Sequence, residues 1–233
     1  MMPLYFGPSH RALYGVYEPA AGHSSRRGVV ICAPMGPEYY QTHSVCRSLA
    51  RRLAEAGVHT LRFDYLGTGD SALEWEDVGV EHWLEDIGLA QQELCDMAGL
   101  PTVGLIGIRA GATLSVAACK AGHDVDGVAL WDPAPLAAPV PDAGGATTGG
   151  EVWQVNPGLG APLRLPSNAL LLTTGDHAAT AAAFAERLAA DRADLVVVHH
   201  DERGPWDVRA VGPGSVPMPI RSFRTLVEWA VGT

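Results

Sequence analysis

Short, unbroken apolar runs alternate along this chain with stretches in which apolar residues recur every third or fourth position. "RGVVICAP" (27–34), "VGLIGI" (103–108), "DGVALWDP" (126–133), "NALLLTTGD" (168–176) and "ADLVVVHH" (193–200) are runs of the first kind. Successive side chains of a strand point to opposite faces, so an unbroken apolar run suits a strand covered on both sides. "RALYGVYEP" (11–19) alternates in polarity and stops at Pro19, as a strand of an N-terminal hairpin would. "GVHTLRFDYLGTGDS" (57–71) reads as a strand that runs into a glycine turn.

Between these runs lie the helical patterns. From His43 to Ala56, the residues Val45, Leu49, Leu53 and Ala56 share one face with arginines opposite. A helix near Val80 to Met97 buries Leu84, Ile87 and Leu94, and another spans about Ala178 to Ala190. The last opens at Pro219, a favoured first helical residue, and buries Ile220, Phe223, Leu226 and Ala230. Alternation of this kind predicts an α/β protein, a mostly parallel sheet with helices on both faces. Ligands of such sheets bind beyond the carboxyl ends of the strands.

One segment breaks the alternation. Residues 133–167 are rich in proline, glycine and alanine and have no clear period. An irregular stretch of that length is either a functional cover or a disordered insertion. We read it as a short cap over the site, with Val152 and Trp153 available for docking. With no internal repeat, residues 1–233 read as one domain carrying that insertion.

Composition narrows the partners. The 233 residues are 47% hydrophobic and 18% charged, enough for a sizeable core. A net charge of -10 and a pI near 5.3 argue against nucleic acid or an anionic membrane as partner. No apolar run approaches the roughly 18 residues a membrane helix requires. The first residues lack the charged-then-apolar order of a signal peptide, so a cytoplasmic location is expected. Cys32, Cys46, Cys95 and Cys119 lack metal-ligand spacing and read as buried reduced thiols, so neither metal nor cofactor is expected.

Four motifs then carry a resemblance: the hairpin "LYFGPSHRALYGVYEP", the loop "APMGPEYYQTHS", the turn "FDYLGTGDS" and the strand–turn–helix "VGLIGIRAGATLSVAA". Together they are similar to the α/β-hydrolase superfamily over nearly the whole chain. The stretch through "LARRLAEAGVHTLRFDYLGTGDS" is most similar to small bacterial hydrolase-like proteins encoded with exosortase systems, and to thioesterase-like proteins of secondary metabolism. The resemblance implies an eight-stranded, mostly parallel sheet with a small irregular cap. It also implies a nucleophile at the turn after "VGLIGI", held under backbone strain. Gly107 and Gly111 suit that turn, but its centre is Arg109, which cannot attack an acyl group.

The remaining roles implied by the resemblance are only partly filled. The acid would be Asp132 or Asp176; the histidine would lie beyond the last strand, where this chain reads "DERGPWDV", with Trp206 and no histidine. His200 is the candidate displaced base, with Asp176 or Asp132 to orient it; neighbouring His199 points to the other face. Backbone N–H groups of Met35 and Ala110 correspond to the family's oxyanion donors. His43 and Ser44 either line the pocket from the loop after the third strand or cap the next helix. Tyr39, Tyr40 and Trp206 are pocket walls or packing. Cys32 is rejected as nucleophile, since an apolar setting raises a thiol pKa.

Arg109 is the informative departure. A helix N-terminus repels a bare guanidinium, so an anion must compensate it. The anion is either internal, from Asp132, Asp176 or Glu38, or a ligand carboxylate or phosphate gripped through paired hydrogen bonds. The leading expectation is a rebuilt, non-serine site for acyl transfer or hydrolysis. Its partner would be an acyl, ester or thioester-type small molecule with an acidic group, free or carried on a protein, with a homodimer as candidate assembly. The alternative is a non-catalytic pseudoenzyme that binds an anionic ligand or partner protein.

Overall fold

A computed structural model describes residues 1–22, 26–134, 136–140, 148–152, 165–177, 184, 195–206 and 218–232; for 136–140 and 148–152 it describes the backbone only. Eight strands form one sheet: β1 (Met2–Phe6), β2 (Leu13–Glu18), β3 (Gly28–Cys32), β4 (His59–Phe63), β5 (Gly104–Ile108), β6 (Gly127–Trp131), β9 (Asn168–Thr174) and β10 (Val196–His200). Their order is β1-β2-β4-β3-β5-β6-β9-β10. β1–β2 and β2–β4 pair antiparallel, and every other pair is parallel. The expected eight-stranded, mostly parallel sheet is therefore present.

Helices cover both faces, and the apolar runs show why. Val30, Cys32, Leu105, Val128 and Leu130 point to one core with Trp83, Ile87 and Leu94 of α2 (Val80–Ala98) and Leu114 of α3 (Ala110–Lys120). Val29, Ile31, Ile106, Ala129 and Trp131 point to the other, with Val45, Leu49 and Leu53 of α1 (Pro37–Glu55) and Phe223 and Leu226 of α4 (Ile220–Gly232). In the central strands both cores need apolar residues from the same strand, which is why those runs are unbroken; in β10, at the edge of the sheet, Val196 and Val197 are instead exposed.

Several boundaries differ from expectation. α1 begins at Pro37, one turn and more before His43, because proline suits the first helical position and Gly36 turns the chain into it. On α2, Trp83 and Asp86 are buried while Leu84 is only half-buried. Ile220, expected in the core, is 49% exposed. Inside the segment read as an irregular cap, β7 (Leu136–Val140) and β8 (Thr148–Val152) pair antiparallel, so the cap is not wholly irregular. Pro139 is tolerated because a two-stranded ribbon leaves each strand an outer edge without ladder bonds. Trp153 and the expected helix 178–190, apart from Phe184, lie outside the described residues.

Candidate functional site

The carboxyl ends of β3, β5, β6, β9 and β10 meet at one edge of the sheet. There the turn from β5 into α3 is made by Arg109, whose φ of 56° is one that residues other than glycine seldom adopt. The neighbouring glycines allow it. A Cβ on Gly111 would overlap the carbonyl oxygen of Cys32, and one on Gly107 would collide with Ala112 and Ser115. Asp132, at the end of β6, is also left-handed, with φ 41°. The two strained residues are tied together: Arg109 N–H donates to the Trp131 carbonyl and Nη1 to the Asp132 carbonyl, both at 3.0 Å. Paired strain of this kind concentrates at functional sites.

The anion that compensates Arg109 is Glu38, on the first turn of α1. Nε donates to both carboxylate oxygens at 3.1 and 3.2 Å, and Nη2 donates to Oε1 at 3.1 Å. The flat face of the guanidinium lies over Trp206, 5.1 Å from the ring centroid. Trp206 packs in turn against Trp131, at 5.2 Å, and His177, at 6.2 Å. The arginine side chain is 12% exposed and Glu38 30%. Thus the turn after β5 and the loop after β10 still meet, as guanidinium on indole.

Asp132 is buried, with its carboxylate turned into the end of β9. Thr174 N–H donates to it at 2.8 Å, and the Thr174 hydroxyl donates to its second oxygen. Burial pushes its pKa up, while the Thr174 bonds and the charges of His177 and Arg109 pull the other way. His177 is the residue that sequence reasoning missed. It closes the short 3-10 turn Gly175–His177 at the end of β9 and lies within electrostatic reach of Asp132. The signal was available in "TTGDH", where the strand-end rule that singled out Asp176 applies equally to its neighbour.

The other expected residues divide. Asp176 is exposed beside His177. His200 faces α4, where its Nε2 shares a 2.8 Å hydrogen bond with Thr225; among the described residues neither Asp132 nor Asp176 is its hydrogen-bond partner. His199 turns to the opposite face and bonds Thr173 at 2.8 Å. His43 and Ser44 are not in a loop: both lie inside α1 on its exposed side, and Gly36 occupies the cap. Tyr39 is tied to the glycine turn, its hydroxyl donating to Asp64 at 2.7 Å, and burial raises its pKa. Exposed Tyr40 leans on the edge of Tyr39.

Met35 and Ala110 are both buried, and among the described residues neither backbone N–H donates to a protein acceptor. Cys32 is buried, and burial pushes its thiol up to about 11, which leaves it unreactive. All four cysteines are free. No group of three or more potential metal ligands occurs among the described residues, and no helix among them is long and apolar enough to cross a membrane.

No protein-family model and no curated protein matches the sequence. Solved structures do match. The serine hydrolase XC6422 of Xanthomonas campestris, described as lacking a lid, aligns with TM-score 0.69 and 15% identity over 99% of this chain and 93% of its own. A serine hydrolase homologue of Coxiella burnetii aligns with TM-score 0.68 and 16% identity over 99% and 96%. A soluble variant of the Saccharomyces cerevisiae monoglyceride lipase aligns with TM-score 0.69 and 12% identity over 99% and 95%. Identity this low conveys architecture and not chemistry. The chain has the α/β-hydrolase fold.

Proposed function

We propose that this protein is a hydrolase-fold binding protein, in which a fixed Arg109–Glu38–Trp206 cluster stands where relatives of the fold cleave esters. The observation that carries the reading is the side-on pairing of Arg109 with Glu38. A guanidinium is no nucleophile, and here its charge is already answered within the chain. Trp206, in the loop to which the resemblance assigns a histidine, supplies a stacking surface and no base. The ligand we assign is an acyl or carboxyl-bearing small molecule whose oxygen takes the N–H groups of Met35 and Ala110. The acyl class is suggested by the serine hydrolases and the lipase of similar fold.

A second reading keeps catalysis, and one observation favours it. His177 lies within electrostatic reach of Asp132 and against Trp206 beside the turn, so a rebuilt acyl-transfer or hydrolase site would be centred on His177 as base.

Ester turnover separates the two. p-Nitrophenyl acetate should be hydrolysed no faster than weak background, and a fluorophosphonate should leave the protein unlabelled. Arg109→Ser should gain nothing, because members of a triad act together and one alone adds little. Turnover that His177→Ala abolishes would replace the binding reading with the catalytic one.

A further inference from the structure

The last helix has a second ordered face. Its core face carries Phe223, Leu226 and Ala230. Beside that runs a stripe of Ile220, Arg224, Val227, Glu228 and Val231, at i, i+4, i+7, i+8 and i+11. Ile220 and Val231 are exposed although both are large and apolar. The first four residues of the stripe line a groove of about 460 Å³, and Val231 continues the same side one turn on. Across the groove α1 presents Arg52 and Glu55. Arg52 lies over the Phe223 ring, 5.5 Å from its centroid. None of this lining belongs to the Arg109 cluster.

The order of side chains along the stripe is its own complement. From Ile220 to Val231 it runs apolar, Arg, Glu, apolar, with gaps of four, four and three residues. Turned end for end against itself, it sets Ile220 against Val231 and Arg224 against Glu228, with Val227 near the centre. Among the described residues neither Arg224 nor Glu228 forms an ion pair, although they stand four apart on one helix. The arginine is N-terminal to the glutamate, the less favourable order for a bridge within a helix. Both charges are therefore open to a partner.

Charge also selects that partner. The chain carries -10, so two copies repel over most of their surfaces. This groove is an exception, because Arg52 and Arg224 balance Glu55 and Glu228. A strongly basic or acidic partner meets no net charge here, whereas a second copy meets its opposite at each turn.

We propose that α4 is the contact face of a homodimer, in which the α4 helices of two copies pack antiparallel about a two-fold axis near Val227. Such an interface is isologous, so Arg224 of each copy meets Glu228 of the other and the pair occurs twice. Ile220, Val227 and Val231 form its apolar centre. A single helix pair is smaller than a standard interface, so the dimer is weak, with a Kd on the order of 10–100 µM. The contact stands whether or not the reading given above for the carboxyl edge holds.

Sedimentation equilibrium of the full-length protein from about 1 to 500 µM brackets that affinity. The parent should pass from monomer to dimer across the range. Arg224→Glu and Glu228→Arg each oppose like charges twice per dimer, and each should weaken association about tenfold. Both residues are exposed, so neither change threatens the fold. Glu228→Arg is the sharper variant: it makes the chain less acidic, so relief of general repulsion alone would strengthen association. Combining Arg224→Glu with Glu228→Arg restores the opposed pairs and should return the affinity to within about threefold of the parent. A parent that stays monomeric throughout would overturn the proposal and leave the groove to a different partner or to another segment of this chain. So would a dimer that either single reversal leaves at parent affinity, or one that the double reversal fails to restore.

Discussion

Two arginines in this protein each grip a carboxylate distant in sequence, and their surroundings make them different devices. Arg11 reaches from the turn between β1 and β2 to α2, pairing with exposed Glu85 and, at 2.9 Å, with Asp86. Asp86 is fully buried and also accepts the Leu66 N–H at 2.9 Å, while Trp83 donates to the Leu66 carbonyl. That cluster clamps the hairpin and the loop after β4 onto one helix. At the carboxyl edge, Arg109 holds Glu38 with similar bonds, yet Glu38 keeps 30% of its side chain in solvent. Pairing is common to both; burial is not. Burial determines what a lost partner costs, because an unpaired charge in water is tolerable and one in the core is not.

The pKa directions agree with this contrast. Burial pushes the Asp86 carboxyl up to about 6, outweighing the bonds from Leu66 and Arg11 that favour its charge. For Arg11, burial opposes the charge but the bonds to Glu85 and Asp86 prevail, so it stays protonated.

The largest expected effect is therefore at Asp86. Asp86→Ala would leave the Leu66 N–H without its acceptor and Arg11 with only Glu85 and the His82 carbonyl, and should cost about 3 kcal/mol in urea unfolding, the lower end of the range for breaking a buried pair. The pH dependence has a definite sign. Because the folded pKa lies above the unfolded value near 4, the folded state binds the extra proton. This group's contribution is complete below pH ~4 and is lost as pH rises through about 6. Asp86→Asn should flatten that stretch of the stability curve; urea midpoints across it provide the measurement.

A smaller effect is expected at the other arginine. Arg109→Ala removes a partly solvated pair and a cation–π contact, so the loss should be about 1–2 kcal/mol by the same unfolding measurement. Arg109→Lys should recover only part, since an ammonium cannot reproduce the side-on fork. A loss equal to that of Asp86→Ala would erase the distinction between brace and site.

The smallest change should come from Trp206→Phe. It keeps a ring face for Arg109 and an edge for Trp131, and it removes the buried indole N–H that has no partner among the described residues. A shift within about 1 kcal/mol in a thermal melt is expected. A larger loss would mean that the indole ring itself, and not a generic aromatic surface, holds the arginine.

Much of the scaffold could be read in advance because its signals are local. Five unbroken apolar runs became parallel strands, and Gly107 and Gly111 stand where backbone crowding requires them. Two readings shifted, one through a distant backbone group and one through a nearby helix start. Leu84 packs at the margin of the core and not at its centre, because Trp83 and Asp86 are drawn in by the Leu66 backbone. His43 and Ser44 moved from loop to exposed helix because Pro37 starts α1 early.

What the sequence determined by itself was the architecture and the oddity at its centre: an α/β alternation, a turn built for close approach, and Arg109 within it. Periodicity and glycine spacing are short-range properties, so adjacent residues carry them. Only the tertiary structure decided what answers that arginine. Glu38, 71 positions away, Asp132, His177 and Trp206 lie on separate segments that follow different strands and converge because parallel strands deliver their carboxyl ends to one edge. From the chain alone Glu38, Asp132 and Asp176 were equivalent counter-ions. The fold turned Asp132 inward to Thr174, left Asp176 in solvent, and brought Glu38 to the guanidinium, because direction and burial are set by packing and not by order along the chain.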